Sequence, residues 1–198
     1  MSHPWFEKYG GRALFSNFKK EEIKPYIDNL FNYSFNSKIQ QLVIAFLVHN
    51  LPSDEMSTDI LKLFRYFNKS GNCKLTKEEL MNGLYEFKDK AEVNNIVDHL
   101  FTLLDGNNNG YIEFEEFLRA CVDKKLILNG PYLKYAFKFL DKEKTGTLNT
   151  EKIIKAFVLK PNKILEAVFN NTLNNVDHDG DGIINYEEFT ELMLKCMD

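Results

Sequence analysis

The chain has 198 residues, of which 44% are apolar and 27% are charged, and its net charge is −4. This size and composition predict one or two globular domains, and the acidic balance argues against a nucleic-acid-binding protein. The cysteines are far apart and form no C-x-x-C pair, which argues against zinc sites and disulfides and favours a reducing, cytoplasmic setting. They are Cys73, Cys121 and Cys196.

The first predicted element is one long amphipathic helix that begins near Pro25 and ends near Leu51. Apolar residues recur in this segment at the three- and four-residue spacing of a helix with one buried face. Pro52 and the cap-like Ser53 end this helix and begin the next segment. Its most apolar run, 42–48, is too short to span a bilayer. The apolar positions are Ile27, Leu30, Phe31, Phe35, Ile39, Leu42, Val43, Phe46, Leu47 and Leu51.

The rest of the chain is an internal repeat of helix, loop and helix. Twelve-residue loops begin at Asn68, Asp105, Asp141 and Asp177, at spacings of 37, 36 and 36 residues. This arrangement is typical of EF-hands, which normally form pairs. We therefore predict an all-α fold with four EF-hands in two paired lobes, residues 52–128 and 129–198. The apolar eighth loop residues predict short two-stranded bridges between paired loops; they are Leu75, Ile112, Leu148 and Ile184.

Two of the four loops keep the complete ligand pattern for calcium. An EF-hand loop supplies side-chain oxygens from positions one, three and five, a backbone carbonyl from position seven and a bidentate Glu from position twelve. In the fourth loop these residues are Asp177, Asp179, Asp181, Ile183 and Glu188. In the second loop they are Asp105, Asn107, Asn109, Tyr111 and Glu116. The sequence thus predicts two Ca²⁺ sites, of which the second loop is the weaker because two amides replace carboxylates.

The first and third loops have lost essential ligands. In the first loop the early ligand positions are neutral, and Cys73 replaces the glycine of the turn. A Cβ at positive φ there costs about 1 kcal/mol. Glu79 survives at position twelve, so weak calcium binding at this loop stays open. The third loop ends in Lys152, whose ammonium repels a cation, so we predict that this loop is calcium-free.

These features in this order resemble the C-terminal regulatory region of the calcium-dependent protein kinases of plants and protists. The resemblance covers essentially the whole chain: His3-Pro4-Trp5-Phe6 resembles the end of the kinase domain, and SKIQQLVIAFLVHNLPSDE resembles the junction helix before four EF-hands. It implies that residues 1–24 end the kinase domain and begin the junction, and that residues 25–51 form an autoinhibitory helix.

The same resemblance implies that calcium binding relieves autoinhibition of an attached Ser/Thr kinase. The chain itself is not expected to be an enzyme, because it has no Gly-rich phosphate loop, H-R-D or D-F-G motif. The partners implied are its own junction helix and the attached kinase domain, and lobes opened by calcium would bind the helix in their grooves. The candidate anchors on the helix are Phe31, Phe35, Ile39, Leu42, Val43 and Phe46.

Other readings stay open at this point. The chain could be a free-standing calcium sensor that acts on a separate target, or a calcium buffer that exposes little apolar surface on metal binding. An independent enzyme is a distant third. A domain-swapped dimer is also possible, because paired lobes with an exposed helix can exchange segments. The parent protein could associate with membranes through parts outside this chain.

Overall fold

The structure is a computed structural model that describes residues 20–34, 37–50, 54–105, 108–157, 159 and 163–195. The chain divides into two compact units. The described residues of Met1–Tyr33 and Pro52–Asp123 form one unit, which we call the N-terminal unit. Those of Ser34–Leu51 and Lys124–Asp198 form the other, the C-terminal unit.

The described residues are mainly helical, as predicted. The helices are α1 (Lys20–Phe31), α2 (Lys38–Asn50), α3 (Asp54–Phe67), α4 (Lys77–Leu84), α5 (Lys90–Leu104), α6 (Phe114–Cys121), α7 (Lys124–Ile127), α8 (Gly130–Leu140), α9 (Thr150–Ala156), α10 (Lys163–Asn174) and α11 (Tyr186–Leu194). The strands are β1 (Leu75–Thr76) and β2 (Tyr111–Ile112). None of the helices described is both long enough and apolar enough for a membrane crossing.

The single helix predicted from Pro25 to Leu51 is wrong, because this segment forms two helices. The break lies between Phe31 and Lys38, where four of six residues are Asn or Ser. Such side chains bond to nearby backbone groups and compete with a continuous helix. The Ser37 hydroxyl accepts a hydrogen bond from the Gln40 amide at 3.2 Å, and the Gln40 side chain accepts one from the Ser37 amide at 2.9 Å. This reciprocal cap starts α2 afresh.

Helix α1 also begins earlier than the position of Pro25 suggested, at Lys20. The turn before the proline carries Ile23, which is buried together with Ile27 and Leu30 one and two turns later. Burial of a large aliphatic side chain is worth about 1.5–3 kcal/mol, which outweighs the preference of proline for a helix start.

The N-terminal unit is built from α1 and the first two EF-hands. Helix α1 packs against α3 and α6. Beneath it lies an aromatic cluster in which the Phe117 ring meets Phe64 at 5.5 Å and Phe67 at 6.0 Å between ring centroids, both edge to face. The two loops are joined by β1 and β2, which pair antiparallel with Leu75 opposite Ile112.

The C-terminal unit repeats this plan with α2 and the last two EF-hands. Helix α2 packs against α7, α8 and α10, and it buries Ile39, Val43, Ile44 and Leu47. The third and fourth loops are joined by an isolated antiparallel bridge between Leu148 and Ile184. Both hydrogen bonds of this bridge have N···O distances of 2.7 Å. The predicted bridges between paired loops are therefore confirmed.

The exit helix of each EF-hand begins at a fixed point of its loop. The ninth loop residue is the N-cap of the helix that follows, so the twelfth residue is the third residue of that helix. The four caps are Thr76, Glu113, Asn149 and Asn185. Each loop is thereby coupled directly to its exit helix.

Substitution of Gly83 in α4 tests the packing of the N-terminal unit. A Cβ at this position would lie 2.8 Å from Cγ of the buried Phe67 ring. We expect Gly83→Ala to lower the free energy of unfolding by about 1–3 kcal/mol through overpacking, although alanine favours helices by about 1 kcal/mol. Urea unfolding in EDTA measures this change.

Gly130→Ala is the matched control, because a Cβ there meets open space. Its free energy of unfolding should change by no more than about 0.5 kcal/mol. An unfolding midpoint for Gly83→Ala at or above the wild-type value would contradict the packing argument.

Candidate calcium centres

At their fourth and sixth positions all four loops share one backbone conformation, whether or not their ligands are intact. The fourth and the sixth residue of every loop have positive φ, between 54° and 82°. At the sixth position of the first loop, Cys73 has a φ of 63°. A residue with a Cβ thus adopts the left-handed conformation that favours glycine. The residues with positive φ are Gly71, Cys73, Asn108, Gly110, Lys144, Gly146, Gly180 and Gly182.

The fourth loop gathers three of its four predicted ligand carboxylates around one point, while Asp181 accepts from the Ile183 amide at 2.9 Å. Ligand oxygens of Asp177, Asp179 and Glu188 all lie within 4.8 Å of one another. Amides of the loop orient them: Asp177 accepts hydrogen bonds from Gly180 at 2.8 Å and Gly182 at 3.0 Å. Glu188 is buried and accepts from the His178 and Asn185 amides, both at 3.0 Å.

The electrostatics of this loop favour a cation. The Asp181 amide donates to Asp179 and lowers its pKa, but this effect is outweighed by desolvation and by the charges of Asp181 and Glu188. The pKa of Asp179 is therefore raised above its ordinary value. Crowded carboxylates repel one another, and a divalent cation removes that repulsion. The residues of the fourth loop thus fit calcium in number, type and charge.

The second loop has the same organisation with fewer charges. Asp105 accepts from the Asn109 and Gly110 amides, both at 2.9 Å, and Asn109 accepts from the Tyr111 amide at 3.0 Å. Glu116 is buried at the start of α6 and accepts from the Glu113 amide at 3.0 Å. The predicted ligand Asn107 lies outside the described residues. The described part of this donor set also fits calcium.

In the first loop an amide side chain faces the ligand oxygens. The Asn68 oxygen accepts from the Cys73 amide at 3.0 Å, so its NH₂ group points inward. That nitrogen lies 3.0–3.4 Å from oxygens of Ser70, Asn72, Lys74 and Glu79. An Asp at this position has two side-chain oxygens, one to accept from the loop amide and one to bind a metal. Asn has a single side-chain oxygen, and in Asn68 it already accepts from the Cys73 amide. The inward donor therefore opposes cation binding.

Glu79 of the first loop is stabilised by the loop itself. Burial raises the pKa of this carboxyl, but hydrogen bonds from the Ser70 and Thr76 amides outweigh burial and hold the pKa below its ordinary value. The carboxylate is charged and bonded without a metal ion. The loop is therefore ordered in its calcium-binding shape through its own donors.

In the third loop the Lys152 ammonium reaches the ligand positions. Its Nζ lies 3.2 Å from Asp141 Oδ1 and 2.7 Å from the Thr147 carbonyl, and it also bonds to the Thr145 hydroxyl. These three groups occupy positions one, seven and five of the loop. The sequence indicated that Lys152 repels a cation; the structure adds that the ammonium itself bonds to the ligand oxygens.

The predicted anchors of the junction lie on two helices. Ile39 and Val43 of α2 are fully buried, whereas Leu42 and Phe46 are partly exposed, and Phe46 stacks on Phe139 at 3.9 Å between ring centroids. Phe31 ends α1 and is partly exposed beneath Lys88 Nζ, 5.2 Å from its centroid. Phe35 lies outside the described residues. The buried hydrophobic residues of the described junction not predicted as anchors are Ile23, Ile27, Leu30, Tyr33, Ile44 and Leu47.

Two amide side chains of the junction contact the ends of exit helices, and sequence reasoning missed both. Asn29 Nδ2 donates to the Cys121 carbonyl of α6 at 2.9 Å. Gln40 Nε2, on a side chain that is 1% exposed, donates to the Leu192 carbonyl of α11 at 2.6 Å. The last carbonyls of a helix lack partners within it, so these bonds satisfy groups that need them. The only signal in the sequence was a polar residue on the apolar face of each helix.

A scan against protein families matches the EF-hand domain pair at residues 57–122 and 131–194. The chain belongs to the EF-hand domain pair family. This membership confirms the predicted fold and implies calcium binding by the chain. The two matches also agree with the two loop pairs that the bridges define.

The similar curated proteins are calcium-dependent protein kinases. Calcium-dependent protein kinase 4 of Plasmodium falciparum (isolate 3D7) is 25% identical over 98% of this chain and 38% of its own length. Calcium-dependent protein kinase 22 of Oryza sativa subsp. japonica is 30% identical over 100% of this chain and 33% of its own length. This chain thus spans about a third of these relatives and corresponds to their EF-hand, non-catalytic part. A domain-swapped dimer receives no support from these comparisons, and we do not propose it.

We expect Glu188→Gln to weaken calcium binding at the fourth loop by at least about tenfold, because one ligand oxygen and one charge are lost. Glu116→Gln should do the same at the second loop. Calorimetric titration of the whole chain measures the number of sites and their affinities. The wild type should show two sites.

The matched control is Glu187→Gln, since Glu187 is exposed in the same helical turn and is not a loop ligand. It should leave both sites intact. Four tight sites in the wild type, or full binding by Glu188→Gln, would refute the assignment of the ligands.

Proposed function

We propose that this chain is the calcium-sensing regulatory domain of a calcium-dependent Ser/Thr protein kinase. In this proposal the second and fourth loops bind one calcium ion each, and binding relieves autoinhibition of the attached kinase. Residues 1–24 are the end of the kinase domain and the start of the junction, and residues 25–51 contain the inhibitory segment. The relatives are kinases of this kind, and the chain matches their EF-hand part.

The observation that carries the proposal is the burial of the junction in both EF-hand units. Helix α1 is held in the N-terminal unit, and α2 is held in the C-terminal unit. Amphipathic helices bound in EF-hand grooves are a common mode of target recognition. A segment that is held in this way is not available to inhibit a kinase domain.

The calcium ligands are coupled to this binding through two short exit helices. Glu116 lies in α6 together with Cys121, whose carbonyl accepts from Asn29. Glu188 lies in α11 together with Leu192, whose carbonyl accepts from Gln40. A helix of eight or nine residues moves as a unit, so a displacement of its first turn also displaces the carbonyl near its end. The state of each complete loop therefore decides where the docking carbonyl lies.

In sensor EF-hands, calcium opens the groove that binds the target helix. In the absence of calcium we expect α1 and α2 to leave their units and to contact the kinase domain. The described cysteines, Cys73 and Cys121, are free thiols, which fits a reducing, cytoplasmic setting.

Hydrogen exchange of the whole chain, measured in calcium and in EDTA, tests whether α1 and α2 leave their units when calcium is removed. The amides of Ile27 in α1 and of Val43 in α2 should be protected in calcium and should lose most of that protection in EDTA. Equal protection in both conditions would show that the junction is permanent core, and it would overturn the proposal. In the full-length kinase, Glu116→Gln combined with Glu188→Gln should leave activity in calcium at its level in EDTA.

The fluorescence of a dye that binds exposed apolar surface distinguishes the proposed calcium sensor from a calcium buffer. A buffer exposes little apolar surface on either side of the calcium transition, whereas departure of α1 and α2 exposes the apolar faces of both helices, which are buried in the units. We therefore expect dye fluorescence to be higher in EDTA than in calcium. No difference would favour the buffer.

The buried amide of Gln40 provides a sharper prediction. Gln40→Met keeps the size of the side chain but removes both the donor to the Leu192 carbonyl and the acceptor for the Ser37 amide. A buried acceptor left without its partner costs about 1–3 kcal/mol. We expect hydrogen-exchange protection of α2 in calcium to fall by about tenfold or more, and that of α1 to remain unchanged.

Gln41→Met is the matched control, because Gln41 is only partly buried and its Oε1 accepts at 3.4 Å from Lys38. It should leave the protection of both helices unchanged. Equal losses of protection for Gln40→Met and Gln41→Met would contradict a specific role of Gln40.

A further inference from the structure

The third EF-hand contains a cation that belongs to the chain, the ammonium group of Lys152. The Lys152 side chain is 14% exposed, and Asp141, its ion-pair partner, is 6% exposed. The ammonium also bonds to the Thr145 hydroxyl and the Thr147 carbonyl. Oxygens from the first, fifth and seventh loop positions thus converge on a positive charge that is part of the chain.

The rest of the third loop is arranged around this ammonium. Asp141 accepts from the amides of Thr145 at 3.1 Å and Gly146 at 2.7 Å, the same loop positions that donate to Asp105 in the second loop. Burial raises the pKa of Asp141, but these amides and the Lys152 ammonium outweigh burial and hold the pKa below its ordinary value. A buried carboxylate without a partner is costly, so the ammonium stabilises the ordered loop.

Glu143, at the third loop position, does not join this arrangement. Its carboxylate pairs with Lys155 at 3.2 Å, and both side chains are more than half exposed. The loop therefore contains one buried ion pair and one surface ion pair. Only the buried pair is placed to determine the conformation of the loop, because exposed pairs contribute little.

The ordered third loop is joined to the fourth loop by backbone hydrogen bonds. The Thr147 carbonyl that bonds to Lys152 lies next to Leu148, and Leu148 exchanges two hydrogen bonds of 2.7 Å with Ile184. Ile184 lies between the ligand positions Ile183 and Glu188 of the fourth loop. A fixed third loop thus fixes one side of the fourth loop before any metal binds.

We propose that the Lys152 ammonium is the built-in cation of the third loop and that it pre-organises the fourth loop for calcium through the bridge between Leu148 and Ile184. Lys152 is therefore a positioning residue. The first part of this inference concerns the metal-free chain; the second part rests on the proposed calcium binding by the fourth loop.

The first experiment compares Lys152→Met with Lys155→Met in the whole chain in EDTA. Lys152→Met keeps the length of the side chain and removes its charge, which leaves the buried Asp141 carboxylate without its cationic partner. We expect the Tm of the C-terminal unit to fall by about 5 °C or more, and the Leu148 and Ile184 amides to exchange faster. Lys155→Met removes only a surface pair and should behave like the wild type. Equal Tm values for the two variants in EDTA would overturn the role of Lys152, whether or not the wild type binds calcium.

The second experiment is a calorimetric calcium titration of the same proteins. We expect Lys152→Met to weaken binding at the fourth loop by at least about fivefold, and Lys155→Met to leave it unchanged. Unchanged affinity in Lys152→Met would overturn pre-organisation of the fourth loop. Complete absence of calcium binding by the wild type would instead refute the proposed function, while the EDTA experiment would still decide the role of Lys152.

Lys152→Glu provides a readout that a merely structural residue would not change. It removes the ammonium and restores the bidentate ligand at position twelve. We expect lower stability than wild type in EDTA, a third calcium ion in the titration, and recovery of the lost stability when calcium is added. A variant that still binds two ions with the third loop folded would overturn the inference.

Discussion

In an EF-hand the twelfth loop residue belongs to two structures at once. It is the last residue of the loop and the third residue of the exit helix, where its side chain can reach the backbone of the N-cap. Glu188 does this by accepting from the Asn185 amide, while its other oxygen accepts from His178. The carboxylate is thus held in place before a metal arrives, and its position is rigidly linked to the helix that follows.

The chemistry of this one position explains how the four loops differ. Glu116 and Glu188 offer buried carboxylates to a cation, whereas Lys152 offers a cation to the other ligands. Glu79 keeps the carboxylate, but the inward amide of Asn68 bonds to it. The first and third loops, whose ligand patterns are incomplete, thus keep the positive φ of the other two loops at positions four and six, and each is joined to its neighbour by backbone pairing.

Much of this architecture could be predicted from the sequence because it depends on local spacing. The loop repeat, the loop pairing and the apolar eighth residues follow from patterns that are short in the chain. The break in the junction was missed because the apolar spacing continues through it and outweighed two local signals, the Asn and Ser residues of 32–37 and the capping pair Ser37 and Gln40. The contacts of Gln40 and Lys152 could not be predicted, since both depend on which groups the fold brings within reach. A lysine at position twelve indicates a lost ligand in the sequence; that its ammonium bonds to the remaining ligands is visible only in three dimensions.

In the proposed regulation, the break between α1 and α2 also affects how fast the junction can respond to calcium. A continuous helix would be released or captured as one body, with a single barrier. Two separate helices can detach one at a time, and the half that stays bound keeps the other at a high local concentration because few residues separate them. Recapture is then intramolecular, so a brief dip in calcium that frees one half need not restore inhibition. Under the proposed regulation, a junction in two parts would in this way separate short fluctuations from sustained signals.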